Sequence, residues 1–118
     1  REKIEKVNEL INKHEQEIAN PLLEYINSRD DIKLIGKNKI ENKNRAPTIA
    51  FTMNNKSSKE LSSDLVKHGI ATRNDNFYAW RCLKALGIDV DDGVVRTSMV
   101  HYNTHEDVDN LINALKKI

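Results

Sequence analysis

The chain has 118 residues, with 19 Lys or Arg residues against 18 Asp or Glu residues and a formal net charge of +1 at pH 7. The length indicates one domain with a small core, and the balanced charge lacks the basic stripe that nucleic-acid binding requires. Because no apolar run approaches the length of a membrane span, we expect neither nucleic acid nor a membrane as a partner.

No cluster of Cys and His has the spacing of a zinc site, and the four histidines are scattered along the chain. The single cysteine, Cys82, excludes an internal disulfide and favours a reducing, cytoplasmic location. Asp89, Asp91 and Asp92 lie close together, but they lack the spacing and the closing glutamate of a calcium loop. We therefore predict no metal site.

The N-terminal segment is predicted to be an amphipathic helix. Apolar residues recur every three or four positions from Ile4 to Tyr25. Pro21 interrupts this pattern, and two interpretations remain open. Either Asn20 is the N-cap of a second short helix with Pro21 in its first turn, or one helix continues through a kink.

Two strands are predicted next. Residues 32–35 form a short apolar run that stops at Gly36. The polar stretch 37–46 suits a hairpin tip or a surface loop. Residues 48–53, TIAFTM, alternate between apolar and other side chains, which indicates a half-buried strand.

A second helix should follow, because Ser57 and Glu60 have the spacing of a capping box. It is predicted to run to His68 and to stop at Gly69. Residues 70–73, IATR, then indicate a short strand.

The last third of the chain predicts a loop at 74–80, a short helix at 79–86, a strand at 94–99 and a final helix capped by Thr104. The whole order is helix, strand, strand, helix, strand, short helix, strand, helix. It predicts an α+β fold, a two-layer sandwich in which helices pack on one face of a small, mainly antiparallel sheet.

One charged residue stands inside the apolar strand 94–99. Side chains alternate along a strand, so Val94, Arg96 and Ser98 share the face opposite Val95 and Thr97. If helices cover the Val95 face, Arg96 projects from the open face. There it either forms an intramolecular salt bridge or binds the carboxylate of a ligand with its planar fork.

Residues 93–118, GVVRTSMVHYNTHEDVDNLINALKKI, resemble the C-terminal end of pyridoxal-phosphate enzymes of the cysteine desulfurase family, also called class V aminotransferases. That family ends its small domain with an arginine-bearing strand, a Tyr-Asn-Thr turn and a helix that starts with acidic residues. Upstream, RAPTIAFTM resembles the family's preceding strand, and LVKHGIATRNDNFYAW resembles its helix, short strand and active-site loop. The resemblance covers nearly the whole chain.

The resemblance implies roles for five residues. In that family, the arginine that matches Arg96 binds the α-carboxylate of the amino-acid substrate. Arg73 matches a second arginine position near the active site. Asn76, Phe77 and Tyr78 fall in the active-site loop.

The chain departs from the desulfurases at the nucleophile. Those enzymes carry a nucleophilic cysteine in the loop, whereas Tyr78 stands at that position here, as in the cysteine-desulfurase-like branch. Cys82 follows one turn into the next helix, and we expect it to be a buried or half-buried small residue. Phe77, Tyr78 and Trp80 either line a pocket or domain contact, or anchor the loop in the core. The reaction stays open among desulfuration, deselenation, transamination and epimerisation.

The resemblance also implies a cofactor bound elsewhere. Pyridoxal phosphate needs a lysine, an acidic partner for its ring nitrogen and donors for its phosphate, and the family places these in its large domain. The chain starts at Arg1 rather than Met. We therefore expect residues 1–118 to be a single domain, the C-terminal small domain of a longer, homodimeric lyase or transferase, and to be inactive and free of cofactor without the large domain.

An alternative function belongs to a different class. The same fold could be a free-standing binding module, a ferredoxin-like sandwich that holds a partner protein on its open sheet face. The two hypotheses differ in the occupant of that face, an amino-acid substrate or a protein. A large α/β domain encoded upstream of Arg1 would favour the enzyme.

Overall fold

A computed structural model describes residues 1–41 and 45–118. Within these residues, the elements in chain order are α1 (Glu2–Asn27), β1 (Ile32–Ile35), β2 (Thr48–Met53), α2 (Ser58–Lys67), β3 (Arg73–Asp75), α3 (Trp80–Ala85), β4 (Val94–Ser98) and α4 (His105–Lys117).

The strands form one sheet in the order β1-β2-β4-β3, and each neighbouring pair is antiparallel. Helices α1, α2 and α4 pack together and against the strands. This arrangement confirms the predicted α+β fold. No helix in the described ranges is both long and apolar enough to cross a membrane.

Alternation along the strands decides which face the helices cover. Phe51 of β2 lies opposite Val95 of β4, and both are fully buried. Burial of one such side chain stabilises the fold by about 1.5–3 kcal/mol. The other fully buried large side chains of this core are Ile18, Leu22, Leu23, Ile26, Ile49, Leu61, Leu65 and Leu115.

Helix α1 is continuous, so the interpretation that Asn20 caps a second helix is wrong. Pro21 has no N–H to donate to the carbonyl one turn earlier, yet the helix continues because its flanking residues Ile18 and Leu22 are fully buried in the core. Asn20 instead binds the backbone of Ile40. Its side chain accepts a hydrogen bond from the Ile40 N–H at 3.0 Å and donates one to the Ile40 carbonyl at 3.3 Å.

These two bonds hold Ile40 in the core, where it is only 4% exposed. Residues 37–46 were predicted to form a hairpin tip or a surface loop, and the segment lies between the antiparallel strands β1 and β2, but Ile40 is buried rather than on the surface. Residues 42–44 of the same segment lie outside the described ranges.

Strand β3 lies later than predicted, at Arg73–Asp75 instead of 70–73. Helix α2 ends in a Schellman turn, in which the Ile70 N–H bonds to the Leu65 carbonyl at 3.0 Å and Gly69 has φ +77°. Residues 70–72 therefore belong to the connection between α2 and β3. Pairing with β4 begins only at Arg73.

Capping boxes form at the N-termini of two helices, α2 and α4. Ser57 and Glu60 exchange hydrogen bonds at α2, as predicted, and Thr104 and Asp107 do the same at α4. Backbone and hydroxyl hydrogen bonds from Ser57 lower the pKa of Glu60. The Thr104 backbone N–H and the Asn103 amide similarly lower the pKa of Asp107.

The short helix α3 approaches the second face of the sheet. Lys33 of β1 donates to the Leu86 carbonyl, just after α3, at 3.3 Å. Leu83 of α3 and Val94 of β4 are each 4% exposed and lie outside the main core. Arg96 and Arg73 lie on the remainder of that face, where Arg96 is half-buried and Arg73 is exposed, and the loop 76–78 follows β3.

The pH dependence of stability should report the ion pairs of Asp64 on α2. Hydrogen bonds from Lys56 and Lys67 lower its pKa to about 2, below the ordinary value of about 3.9 for Asp. A depressed pKa stabilises the fold above about pH 4, and this contribution is lost as the pH falls towards 2. Asp64→Asn should therefore lower the free energy of unfolding at pH 7, and the gap to wild type should narrow below pH 4. Urea titrations at each pH measure the free energy of unfolding of the variant and the wild type.

Glu9→Gln is the matched control, because Glu9 is exposed and forms no ion pair in the described ranges. It should give wild-type stability at every pH. A constant gap for Asp64→Asn between pH 7 and pH 2.5 would contradict the role assigned to its carboxylate.

Candidate functional site

Two arginines stand side by side on the open face of the sheet. Arg96 of β4 lies directly opposite Arg73 of the edge strand β3, and Ala50 of β2 flanks Arg96 on its other side. Directly opposed residues in an antiparallel pair project to the same face, with Cβ atoms about 4.5–5.5 Å apart. The pair thus places two positive charges next to each other on this face.

The Arg96 guanidinium rests on an aromatic ring. Its central carbon lies 3.9 Å from the ring centroid of Phe77, a cation–π contact that contributes about 0.5–2 kcal/mol. Arg96 is half-buried, and Arg73 is exposed. Stacking occupies one face of the guanidinium and leaves its N–H edges available.

No carboxylate in the described ranges forms an ion pair with either arginine. Asp75 lies two residues along β3 on the same face, but it accepts a hydrogen bond from the Asn76 N–H at 2.7 Å and no bond from the arginines. The interpretation of Arg96 as a member of an intramolecular salt bridge therefore finds no partner in the described part of the chain.

The loop that carries Phe77 is held in an uncommon conformation. Phe77 and Tyr78 have φ of +51° and +60°, a left-handed region that costs about 1–3 kcal/mol per non-glycine residue. Asn76 compensates, because its side chain accepts from the Tyr78 N–H at 3.0 Å and donates to the Val90 carbonyl at 3.2 Å. In this structure Asn76 thus holds the loop together through its own side chain.

Gly93 allows the backbone at the start of the loop to approach β4 closely. Gly93 has φ +74°, and a Cβ added there would lie 2.3 Å from the backbone carbon and oxygen of Asp75. Any side chain at this position would push β3 and the Asn76 turn away from β4.

The aromatic residues of the region divide between two environments. Phe77 is half-buried under Arg96, whereas Tyr78 is 96% exposed and Trp80 is 55% exposed. Cys82 is also exposed, so the expectation of a buried or half-buried thiol is wrong. The short helix α3 buries Leu83, and the side of the helix that carries Cys82 is exposed to solvent.

Sequence reasoning missed the side-by-side arginines and the Phe77 stack. The misplaced third strand hid the register that puts Arg73 opposite Arg96. The preference of Asn for turns that use left-handed residues was a signal for the loop, but no sequence pattern reports a cation–π contact between residues 77 and 96.

The described residues do not fit pyridoxal phosphate on their own. Each of their lysines is at least partly exposed, whereas the cofactor needs a lysine inside a pocket. No group of three or more His, Cys, Asp or Glu side chains within these residues could hold a metal ion. The chemistry that the site does offer is anion binding.

Comparisons with known proteins match the chain to one family. The sequence model of the family described as aminotransferase class-V matches residues 4–111. An aminotransferase-like protein of Gibberella zeae is 38% identical over 111 residues, which are 92% of this chain and 27% of that protein. A cysteine desulfurase of Escherichia coli O8 is 30% identical over 108 residues, 92% of this chain and 25% of that protein. The chain thus spans about a quarter of the length of these relatives.

Solved structures share the fold. A cysteine desulfurase from Thermococcus onnurineus superposes with a TM-score of 0.81 at 23% identity, over 98% of this chain and 28% of that one. A cysteine desulfurase from Escherichia coli gives a TM-score of 0.74 at 24% identity, over 90% of this chain and 24% of that one.

The contact between Gly93 and Asp75 predicts a large difference between two glycine substitutions. Gly93→Ala should lower the free energy of unfolding by about 3 kcal/mol or more, because the methyl group meets backbone and φ is positive. Gly87→Ala is the matched control, since φ is also positive, at +69°, but nothing lies within 4 Å. Its cost should be about 1 kcal/mol. Equal losses in urea unfolding would contradict the close approach.

Proposed function

The chain belongs to the class-V aminotransferase family, and from that premise we propose that Arg96 binds the carboxylate of an amino-acid substrate on the open sheet face. One observation carries the proposal. Arg96 is half-buried, stacked on Phe77, and without an ion pair in the described part of the chain. A half-buried guanidinium with free N–H edges attracts an anion, because pairing compensates for the hydration that its charge has lost.

The geometry suits a carboxylate for a physical reason. The two oxygens of a carboxylate match the parallel N–H groups of a guanidinium edge, and such paired bonds are about twice as strong as neutral ones. Phe77 covers one face of the Arg96 plane and leaves its edges free. A strand position also fixes the arginine more tightly than a loop position would, so the bound carboxylate is oriented as well as attracted.

The proposal extends to a longer protein. In it, residues 1–118 form the C-terminal small domain of a homodimeric, cytoplasmic lyase or transferase, and a large domain of the same chain holds pyridoxal phosphate. When bound, that cofactor supplies an electron sink for bond breaking at the substrate α-carbon. The part played by this chain is to hold the carboxylate through Arg96, with the aromatic loop beside it. Alone, the chain neither retains the cofactor nor turns over substrate.

The proposal covers substrate binding and excludes sulfur transfer by a loop thiol. Tyr78 occupies the exposed tip of the loop, at the position that the family resemblance gives to the nucleophilic cysteine. A phenol cannot take the place of that cysteine, because accepting sulfur from a substrate requires a thiolate nucleophile. Cys82 lies on α3, outside the left-handed turn.

Substitution of Arg96 tests the carboxylate site directly. In the full-length protein, Arg96→Gln should weaken binding of amino acids about 100-fold, because it removes charged hydrogen bonds that contribute about 2–5 kcal/mol. Amino-acid amides, which lack the carboxylate, should bind the variant and wild type alike. Apparent affinities over a panel of amino acids and their amides measure both effects.

Lys117→Gln is the charge-matched control, since Lys117 lies on α4 in the helical layer. This variant should bind every amino acid and amide of the panel with wild-type affinity. If Arg96→Gln left the amino acids at wild-type affinity, the proposed function would be wrong.

The Phe77 stack should contribute less than the arginine itself. Phe77→Leu keeps an apolar side chain and removes the π face, so carboxylate affinity should fall about threefold to tenfold, in line with a cation–π energy of about 1 kcal/mol. Unfolding of the variant in urea separates this effect from a loss of fold. An unchanged affinity in a folded variant would show that the stack does not orient Arg96.

A further inference from the structure

A half-buried acid outside the site ties the turn before β4 to helix α2. The carboxylate of Asp92 accepts hydrogen bonds from the Ser58 N–H at 2.8 and 3.1 Å, one to each oxygen. The Ser58 hydroxyl donates to the Asp92 carbonyl at 2.5 Å and accepts from the Asn74 amide of β3 at 3.3 Å. Ser58 is the first residue of α2, where the helix dipole favours a negative charge. These bonds fix the turn 89–92 against the helical layer.

The same turn holds the site loop through Val90. The Val90 carbonyl accepts a hydrogen bond from the Asn76 side chain at 3.2 Å. The turn is also closed by its own bonds, since the Asp89 carboxylate accepts from the Asp91 N–H at 2.9 Å and the Asp89 carbonyl accepts from the Gly93 N–H at 2.8 Å. A displacement of the turn is therefore passed on to Asn76.

The loop depends on this attachment because strand pairing ends just before it. The last residue of β3 that pairs with β4 is Asp75. Phe77 and Tyr78 then follow in left-handed conformations, which an unsupported chain avoids. The bond from the Tyr78 N–H to the Asn76 side chain closes the loop internally, whereas the bond from Asn76 to Val90 attaches the loop to a second segment.

We infer that Asp92 is a positioning residue of the carboxylate site. It fixes the turn 89–92 on α2, and the turn holds Asn76. Through this bond Asn76 keeps Phe77 stacked beneath Arg96. The inference rests on the proposed function and adds to it a residue that acts on the site only through the loop.

Removal of the Asp92 side chain tests this role. In the full-length protein, Asp92→Ala should weaken binding of amino acids about threefold to tenfold, the effect expected when Phe77 no longer supports the guanidinium. Amino-acid amides should bind the variant and wild type alike, because they lack the carboxylate that Arg96 binds. Titration calorimetry over the same panel measures both effects.

Ser57→Ala is the matched control for stability. Ser57 accepts a hydrogen bond from the Glu60 N–H at 3.2 Å, so this variant also removes an acceptor from the N-terminus of α2. It should lower the free energy of unfolding in urea, as Asp92→Ala does, but leave every affinity at the wild-type value. An equal loss of affinity in both variants would contradict the inference, since weakening of α2 would then explain both.

A double variant separates positioning by Asp92 from any other effect of this residue. If Asp92 acts through Phe77, the variant Phe77→Leu/Asp92→Ala should bind amino acids as weakly as Phe77→Leu alone. Losses of affinity that multiply would show that the two residues act independently, and they would overturn the inference.

Asp92→Asn is the second variant, because Asp92→Ala removes several hydrogen bonds and can fail to fold. It keeps an oxygen that accepts from the Ser58 N–H. Its affinity for amino acids should fall about twofold to threefold, because a hydrogen bond to a neutral oxygen is about half as strong as one to a charged oxygen. Asp91→Asn removes the same charge at an exposed neighbour and should bind like wild type. Equal affinities in these two variants would overturn the inference.

The results distinguish failure of this inference from failure of the proposed function. Wild-type affinity in Asp92→Ala, together with a loss in Arg96→Gln, would remove the role of Asp92 and leave the carboxylate site intact. Wild-type affinity in Arg96→Gln would overturn the proposed function itself.

Discussion

The uncompensated charge of Arg96 is the interaction on which the site depends. A strand places this guanidinium on the open face of the sheet, and the ring of Phe77 lies 3.9 Å beneath it. In other proteins a half-buried arginine of this kind is usually satisfied by an acid on the same chain. Here the described residues provide an aromatic support and a second arginine, and we propose that an anion from outside completes the arrangement.

The loop that carries Phe77 has a strained backbone conformation. Phe77 reaches Arg96 from a loop with two consecutive left-handed residues, and Asn76 holds that loop through hydrogen bonds to the Tyr78 N–H and the Val90 carbonyl. Gly93 lets the start of the loop approach β4 without a steric clash. Strain that is maintained by several independent contacts is typical of binding and catalytic sites, and it gives the loop a positioning role.

Much of the fold was predictable because local signals and burial agreed. Alternation gave the bounds of β2, and a capping box with a terminal glycine gave α2. Sequence reasoning failed where tertiary contacts overrode local signals. Burial of Ile18 and Leu22 carried α1 through Pro21, and the Asn20 side chain drew Ile40 into the core. The same limit applied to the site, since Arg96 was found from its strand but its register with Arg73 and its contact with Phe77 depend on folding.

A crystal structure of the full-length protein with a bound amino-acid substrate analogue tests the central claim most directly. The account predicts both α-carboxylate oxygens within about 2.7–2.9 Å of the Arg96 guanidinium nitrogens, the distance of a charged hydrogen bond, with Phe77 still stacked beneath. An Arg96 side chain paired with an acidic residue from another part of the protein, and an analogue carboxylate bound elsewhere, would contradict it.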